Sequence, residues 1–205
     1  LLGIRRRPVG TDWGLSLDYM SERGLGHGTT FLYNRPEDCL GIAGPAAGLI
    51  DYWGIFDNGR DNLGLDRRDV PPATDYRYRA FAKHRQRLEG DWQLSAEVGV
   101  VSDLNVLEEY FEREWDELKD LDTAIDLKRI RDTRSLSLYA SVQANDFFTT
   151  TEWLPRLDHF WLGQPLGNDV LSWFEHTSLG YGQFRAGELP GPAQQPPGGE
   201  VHTWS

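Results

Sequence analysis

Few side chains in this 205-residue chain are of a type that could do chemistry, and their spacing does not arrange them for it. The histidines are His27, His84, His159, His176 and His202. No two stand at i, i+4, and none belongs to an H-x-H or H-E-x-x-H motif, so each reads as a strand or loop residue rather than a metal ligand. A single cysteine, Cys39, excludes an internal disulfide and a cysteine-based zinc cluster, and nothing in the surrounding sequence would activate its thiol. The run Asp57-Asn58-Gly59-Arg60-Asp61-Asn62-Leu63-Gly64-Leu65-Asp66 superficially resembles a calcium loop. Gly59 falls where the third ligand belongs, however, and Asn62 where the sharp turn needs glycine. Its Asp, Asn and Gly residues are expected to form turns closed on their own backbone. Glu108/Glu109 and Glu112/Glu114 could be acid–base pairs, but they fall on a charged helical segment expected to be solvated, not across a cleft from one another. No phosphate-cradling glycine loop, nucleophile elbow or triad order is present. Neither catalytic, cofactor, metal nor ligand-binding residues are assigned, and the chain is expected not to be an enzyme.

Composition narrows the classes further. Acids outnumber Lys plus Arg by 32 to 21, giving a net charge of −11 and a pI near 4.9. A nucleic-acid binder needs the opposite balance. No run approaches the ~18 apolar residues of a membrane-spanning helix. The most apolar stretch, Leu40 to Ile50, is broken by Gly41, Gly44, Pro45 and Gly48. A transmembrane β-barrel is a different matter, because only alternate residues of its strands are apolar. The hydrophobic fraction of 39%, aromatic fraction of 12% and mean hydropathy of −0.54 suit such a barrel and an aromatic-rich soluble β-protein equally well.

The elements that must position these residues are strands. Trp13, Leu15, Leu17 and Tyr19 alternate with Gly14, Ser16, Asp18 and Met20, and Thr29, Phe31 and Tyr33 resume the period after a glycine-rich turn. Strand character continues over Leu49–Phe56 and Tyr76–Arg87. It is clearest where Trp92, Leu94, Ala96, Val98 and Val100 oppose Gln93, Ser95, Glu97 and Gly99. Ile125, Leu127 and Arg129 follow, then Leu136 to Ala144, then Trp173 to Tyr181. Seven or more strands without helical crossovers predict an all-β, antiparallel up-and-down sheet.

One segment departs from period two. Leu104, Leu107, Phe111, Trp115 and Leu118 form a helical stripe, with Asp103 placed as its N-cap. Residues 108–122 hold eight acids against Arg113 and Lys119, a local charge of −6. An amphipathic helix over a sheet edge or rim, its acids solvated, accounts for this; a divalent-cation or partner site is the alternative. Connections also alternate, with tight turns from Arg87 to Trp92 and Ile130 to Ser135 but long ones from Phe56 to Tyr76 and Val101 to Thr123. Outer-membrane barrels have this habit. Residues 1–188 are read as the N-terminal part of an incomplete barrel, and 189–205 as a Pro/Gly-rich loop or truncated tail. The start at Leu1 and the Pro/Gly-rich end suggest a piece of a longer reading frame.

Several motifs taken in order resemble one family. Lys83-His84-Arg85-Gln86, through Trp92-Gln93-Leu94-Ser95-Ala96-Glu97 to Val101-Ser102-Asp103, is similar to the barrel of the lipopolysaccharide-assembly (LptD, organic solvent tolerance) proteins. Ser102-Asp103-Leu104-Asn105-Val106-Leu107-Glu108-Glu109-Tyr110 resembles that family's strand-end motif, and Arg23-Gly24 and Asn145-Asp146-Phe147-Phe148-Thr149 are similar as well. The likeness runs from about Asp12 to Tyr181. It implies part of a large barrel, integral to the outer membrane of a Gram-negative cell and in contact with its lipids. Such a barrel takes lipopolysaccharide from periplasmic Lpt bridge proteins and inserts it into the outer leaflet, around an LptE-like lipoprotein plug. The family commonly carries prolines in its first two barrel strands, weakening a lateral gate. No proline lies between Asp12 and Asn34 here, so any weakening would fall to Gly14 or to strands elsewhere. The acidic loop would meet lipopolysaccharide phosphates only through bridging divalent cations. Two rival readings come from other classes: a soluble aromatic-rich β-sandwich that binds carbohydrate, and a glycan-processing enzyme built on the Glu-rich segment.

Overall fold

Period-two alternation emerges as nine antiparallel strands joined in sequence order. The computed structural model describes residues 9–64, 67–116, 121–166 and 170–188. The strands are β1 (Thr11–Met20), β2 (Gly24–Arg35), β3 (Ala46–Phe56), β4 (Tyr76–Arg87) and β5 (Trp92–Val101). They continue as β6 (Thr123–Arg131), β7 (Arg134–Val142), β8 (Thr150–Leu166) and β9 (Leu171–Arg185). Each pairs with its neighbours in sequence, so the fold is an all-β up-and-down sheet. Two small ladders, Asp38–Cys39 with Ile42–Ala43 and Asp61–Asn62 with Arg68–Val70, decorate connections. Among the described residues no second large sheet covers the first, so the sandwich expectation does not hold.

The two faces are sharply unlike. Leu94, Leu127, Leu138, Leu157 and Leu179 lie in one register row, one leucine per strand from β5 to β9. The adjacent row, on the opposite face, reads Ser95, Asp126, Tyr139, Arg156 and Gly180. On β1 the apolar face presents Trp13, Leu15, Leu17 and Tyr19, between 49% and 78% exposed. Aromatic residues sit toward both ends of this face: Tyr19, Phe56, Tyr76 and Tyr78 at one, Tyr33, Trp92, Trp161 and Trp173 at the other. The sheet is bent with its polar face inward. A cavity of about 920 Å³ takes its walls from Asp12, Asn34, Lys83, Arg85, Glu97 and Asp126, carried by strands β1 to β6.

Glycines let tyrosines lie flat across the apolar face. Tyr33 of β2 crosses Gly48 of β3, and its hydroxyl meets His84 Nδ1 on β4 at 2.5 Å. A Cβ at Gly48 would stand 2.2 Å from that hydroxyl. Tyr52 and Tyr76 meet over Gly54 in the same manner, with His27 beside them. This is the device by which aromatic neighbours cover a strand glycine.

Connections 57–75 and 102–122 are long and share one end of the sheet, whereas 88–91 and 132–133 turn tightly at the other. Asp132 takes the left-handed conformation that the second of these turns requires, at φ 51. Two connections break the alternation: 21–23 is short at the long-loop end, and 36–45 at the opposite end carries a small ladder. The expected single helix is two, α1 (Val106–Tyr110) and α2 (Glu112–Asp116), separated at Phe111, whose φ of −134 and ψ of 45 are not helical. Leu118 and residues 189–205 lie outside the described residues. Asp103 is not the cap of α1; Asn105 occupies that position, and Asp103 is committed to an arginine described below.

The pairing of β1 with β2 is unbroken from Thr11↔Tyr33 to Met20↔Gly24. At Gly14 the ladder is continuous, and its carbonyl additionally accepts a bond from the Thr29 hydroxyl at 3.1 Å. Strand β8, the longest, has no clear alternation in sequence. Register shifts between Trp153 and Arg156 and between Trp161 and Gln164 reset which face its residues occupy, so no single period runs through it. β1 and β9 each pair on one side only among the described residues. As first and ninth of an alternating set they run in the same direction, so joining them directly would make a parallel seam.

Candidate functional site

At the long-loop end, β4 directs Arg77 and Arg79 to the concave side, because alternate residues of a strand share a face. Both long connections fold inward over them. Arg77 is fully buried and holds Asp103 with a two-pronged grip, Nε to Oδ2 at 3.0 Å and Nη2 to Oδ1 at 2.8 Å. Its remaining Nη1 donates to Asp57 Oδ2 at 3.1 Å and Asp61 Oδ1 at 2.5 Å. Arg23, from the β1–β2 turn, donates to the same two aspartates at 3.1 and 3.0 Å and pairs with Glu109 of α1. Tyr110 closes the group, its hydroxyl donating to Asp57 Oδ2 at 2.6 Å while its ring packs under both guanidinium groups. Outside this centre Arg67 grips Glu108 through two 3.0 Å contacts, and Arg79 bridges Asp51 and Glu114.

An apolar cluster sits beside the charges. Val101, Val106 and Leu107 are buried against Tyr110, Phe111, Trp115, Leu121, Phe147 and Phe148. Trp53, on the concave face of β3, packs against Tyr110 and meets Phe111 edge-on, ring centroids 4.9 and 5.4 Å apart. Asn145 stitches the β7–β8 connection to β5, accepting from Val101 N–H and donating to the Gly99 carbonyl, both at 2.9 Å. Thus Arg23-Gly24, Ser102-Asp103 and Asn145-Asp146-Phe147-Phe148, far apart in the chain, converge on one rim.

Burial sets the electrostatics of the loops. It would raise the Asp57 carboxyl, but bonds from Tyr110, Gly59 N–H and Arg77, with the charge of Arg23, more than offset this and hold it below the usual carboxylate range. For Glu108 and Glu109 burial prevails and pushes both upward, despite Arg67 beside the first and Asn62 N–H and Arg23 beside the second. The Tyr110 hydroxyl is pushed well up by burial and by Asp57. Buried charges cost several kcal/mol each to desolvate, and a group like this is stable only when each is paired and hydrogen-bonded.

These contacts correct the expectation of a solvated acidic helix. Glu108, Glu109 and Glu114 are each held by an arginine, whereas Glu112, the fourth of the proposed acid–base residues, stands exposed. The turn expected at Asp57 is present, Oδ1 accepting from Gly59 N–H at 2.9 Å, but Asp57 and Asp61 also serve the arginines. Asp66, Glu117, Asp120 and His202 lie outside the described residues. Among the described residues no group of three His, Cys, Asp or Glu side chains could hold a metal ion.

The other histidines remain scattered. His27 and His84 lie with tyrosines on the apolar face, His159 pairs with Glu175 at 2.8 Å, and His176 stacks on Phe160. Cys39 is half-buried in a small ladder. Arg77 was not marked by any motif, the available signal being Arg77 and Arg79 alternating with Tyr76 and Tyr78; Asp61 and Tyr110 stood in runs singled out above, but for other reasons. Further along the concave wall, polar groups satisfy one another: Lys83 with Glu97 at 3.2 Å, Ser137 with Asp126 at 2.6 Å, Arg156 with Asp158 at 2.7 Å. Chemically this is a polar, ion-paired lining. No protein-family model matches the chain, and no curated protein matches it either.

Proposed function

We propose that this chain is part of the wall of an outer-membrane β-barrel that carries lipopolysaccharide to the outer leaflet. The observation that carries the reading is the row Leu94–Leu127–Leu138–Leu157–Leu179 backed by Ser95–Asp126–Tyr139–Arg156–Gly180. A soluble sheet would bury such a leucine row under a second layer. A barrel wall instead turns it to lipid, with aromatics at both interfaces and polar residues in the lumen. The long loops folded inward, the short turns opposite and the resemblance of the rim motifs to the lipopolysaccharide-assembly proteins support the same reading. Transport asks for no bond chemistry: the lumen hydrates sugars and phosphates while acyl chains leave sideways. An LptE-like plug and a periplasmic bridge belong to the proposal through the resemblance alone.

The test is the full-length gene product in a Gram-negative host. Recovery in the outer-membrane fraction, a gel mobility that changes on boiling, and loss of surface lipopolysaccharide on depletion are expected. A soluble periplasmic product with heat-independent mobility would overturn the reading and return attention to glycan binding.

A further inference from the structure

Arg23, Arg67, Arg77 and Arg79 of the rim are neutralised by carboxylates, but the arginines at one corner of the apolar face are not. Arg129 and Arg131 of β6 and Arg134 of β7 share that face at the short-turn end, in register with Leu136 and Trp161. None has a carboxylate partner among the described residues. Instead the Arg134 guanidinium lies 4.0 Å above the Trp161 ring, and Arg129 lies 5.8 Å from that of Trp92. Two N–H donors of the patch, Arg129 Nε and Trp161 Nε1, are covered and have no acceptor. The acids nearest the patch are Asp132, within the turn, Glu89 and Asp91, in the turn that precedes Trp92, and Glu175, which is engaged by His159 and Thr177.

The geometry points to a binding site for the phosphate of an anionic phospholipid headgroup. This rests on the barrel reading, which puts the corner at the level of a membrane interface. The Arg134 and Arg129 guanidinium groups lie against aromatic rings, which leaves their planar forks of donors, with Arg131 beside them, for a bidentate anion. Tryptophan belongs at that depth, where its ring is apolar and its N–H meets water and headgroups. Acyl chains of a bound lipid would run from there up the apolar face and across the leucine row. A soluble anion would gain the charge but not the apolar surface, so a lipid fits the patch better than free phosphate.

The experiment is native mass spectrometry of the full-length, detergent-extracted protein with an equimolar mixture of phosphatidylglycerol and phosphatidylcholine. Phosphatidylglycerol should be retained over phosphatidylcholine by at least tenfold, since each arginine near a membrane surface contributes up to about a fivefold preference for anionic lipid and three act together. R129Q/R131Q/R134Q should bring the ratio near one, R131Q alone should reduce it severalfold, and R85Q on the concave face should leave it intact. Equal retention by the unaltered protein, or a preference that survives the triple change, would overturn the site. So would complete displacement of the lipid by inorganic phosphate, which would make it an anion site only. A protein whose mobility shifts on boiling but which shows no preference sinks the site alone. One that neither shifts nor retains either lipid sinks the barrel reading as well.

Discussion

Arg77 and Asp103 face one another as a two-pronged pair, 3.0 and 2.8 Å apart, with the guanidinium wholly removed from solvent. The pair ties β4 to the first residues beyond β5, and Arg77 then fastens the 57–75 connection through Asp57 and Asp61. A strand residue thereby holds two loops at once, alongside the Arg79–Glu114 pair and the packing of Trp53 against Tyr110 and Phe111. Arg77→Met leaves three carboxylates partly or wholly unpaired in a dry site. Such a loss costs about 3–5 kcal/mol. The expected result is rapid proteolysis within 57–75 and 102–116, with the heat-dependent mobility of the strands retained.

Acid should release the same loops, but not monotonically. Asp57 is depressed below its ordinary value of 3.8, so its contribution is complete above that value and is lost as pH falls through the lowered one. Glu108 and Glu109 are raised above 4.5, so the folded loops bind their protons more readily than the unfolded ones do. Their contribution is present below 4.5 and is lost as pH rises through the raised values. The protection of the 102–116 amides, relative to their intrinsic exchange at each pH, should therefore rise slightly on going from pH 7 toward 4.5, then fall once Asp57 protonates. Asp57→Asn should remove the acid-side fall and weaken the loops at neutral pH.

How much of this was legible beforehand follows from the range of each interaction. Alternation is local, so eight of the nine strands could be read from neighbouring residues. The ninth, β8, hides behind its bulges and the apolar runs Trp153-Leu154 and Phe160-Trp161-Leu162, which fill both faces. The helical stripe was legible for the same reason, but the break at Phe111 was not. That residue leaves helical geometry where its ring meets Trp53, a strand residue far back in the chain. Acids 108–114 looked solvated because their partners, Arg23, Arg67 and Arg79, come from elsewhere, and nothing local in Glu109 names Arg23.

Close approach across Gly48 gives a steric prediction. A methyl there would meet the Tyr33 hydroxyl at 2.2 Å and the Lys83 carbonyl oxygen at 2.5 Å. Since one of these is backbone, a rotamer change of Tyr33 cannot relieve both. Gly48→Ala should cost about 1–3 kcal/mol, the usual penalty for overpacking, seen as a lower urea midpoint for loss of the slow-migrating or fast-migrating folded band on unboiled gels. Tyr33→Phe, which loses only the bond to His84, should cost less than Gly48→Ala.

Leu138 and Ser137 are consecutive, yet they stand on opposite faces of β7, and that makes them the sharpest comparison available. Leu138 is 43% exposed in the centre of the leucine row, and Ser137 bonds Asp126 on the polar side. In a soluble sheet with water on both sides, an arginine at the exposed leucine position would be close to neutral. In a barrel wall it meets hydrocarbon, at a cost of about 2–4 kcal/mol near the bilayer midplane. Leu138→Arg should therefore sharply reduce the folded, outer-membrane fraction, whereas Ser137→Arg, facing a wet lumen beside Asp126, should be tolerated. Comparing the unboiled band intensities of the two variants in membranes reads this directly. Equal tolerance of both would place water, not lipid, against the leucine row.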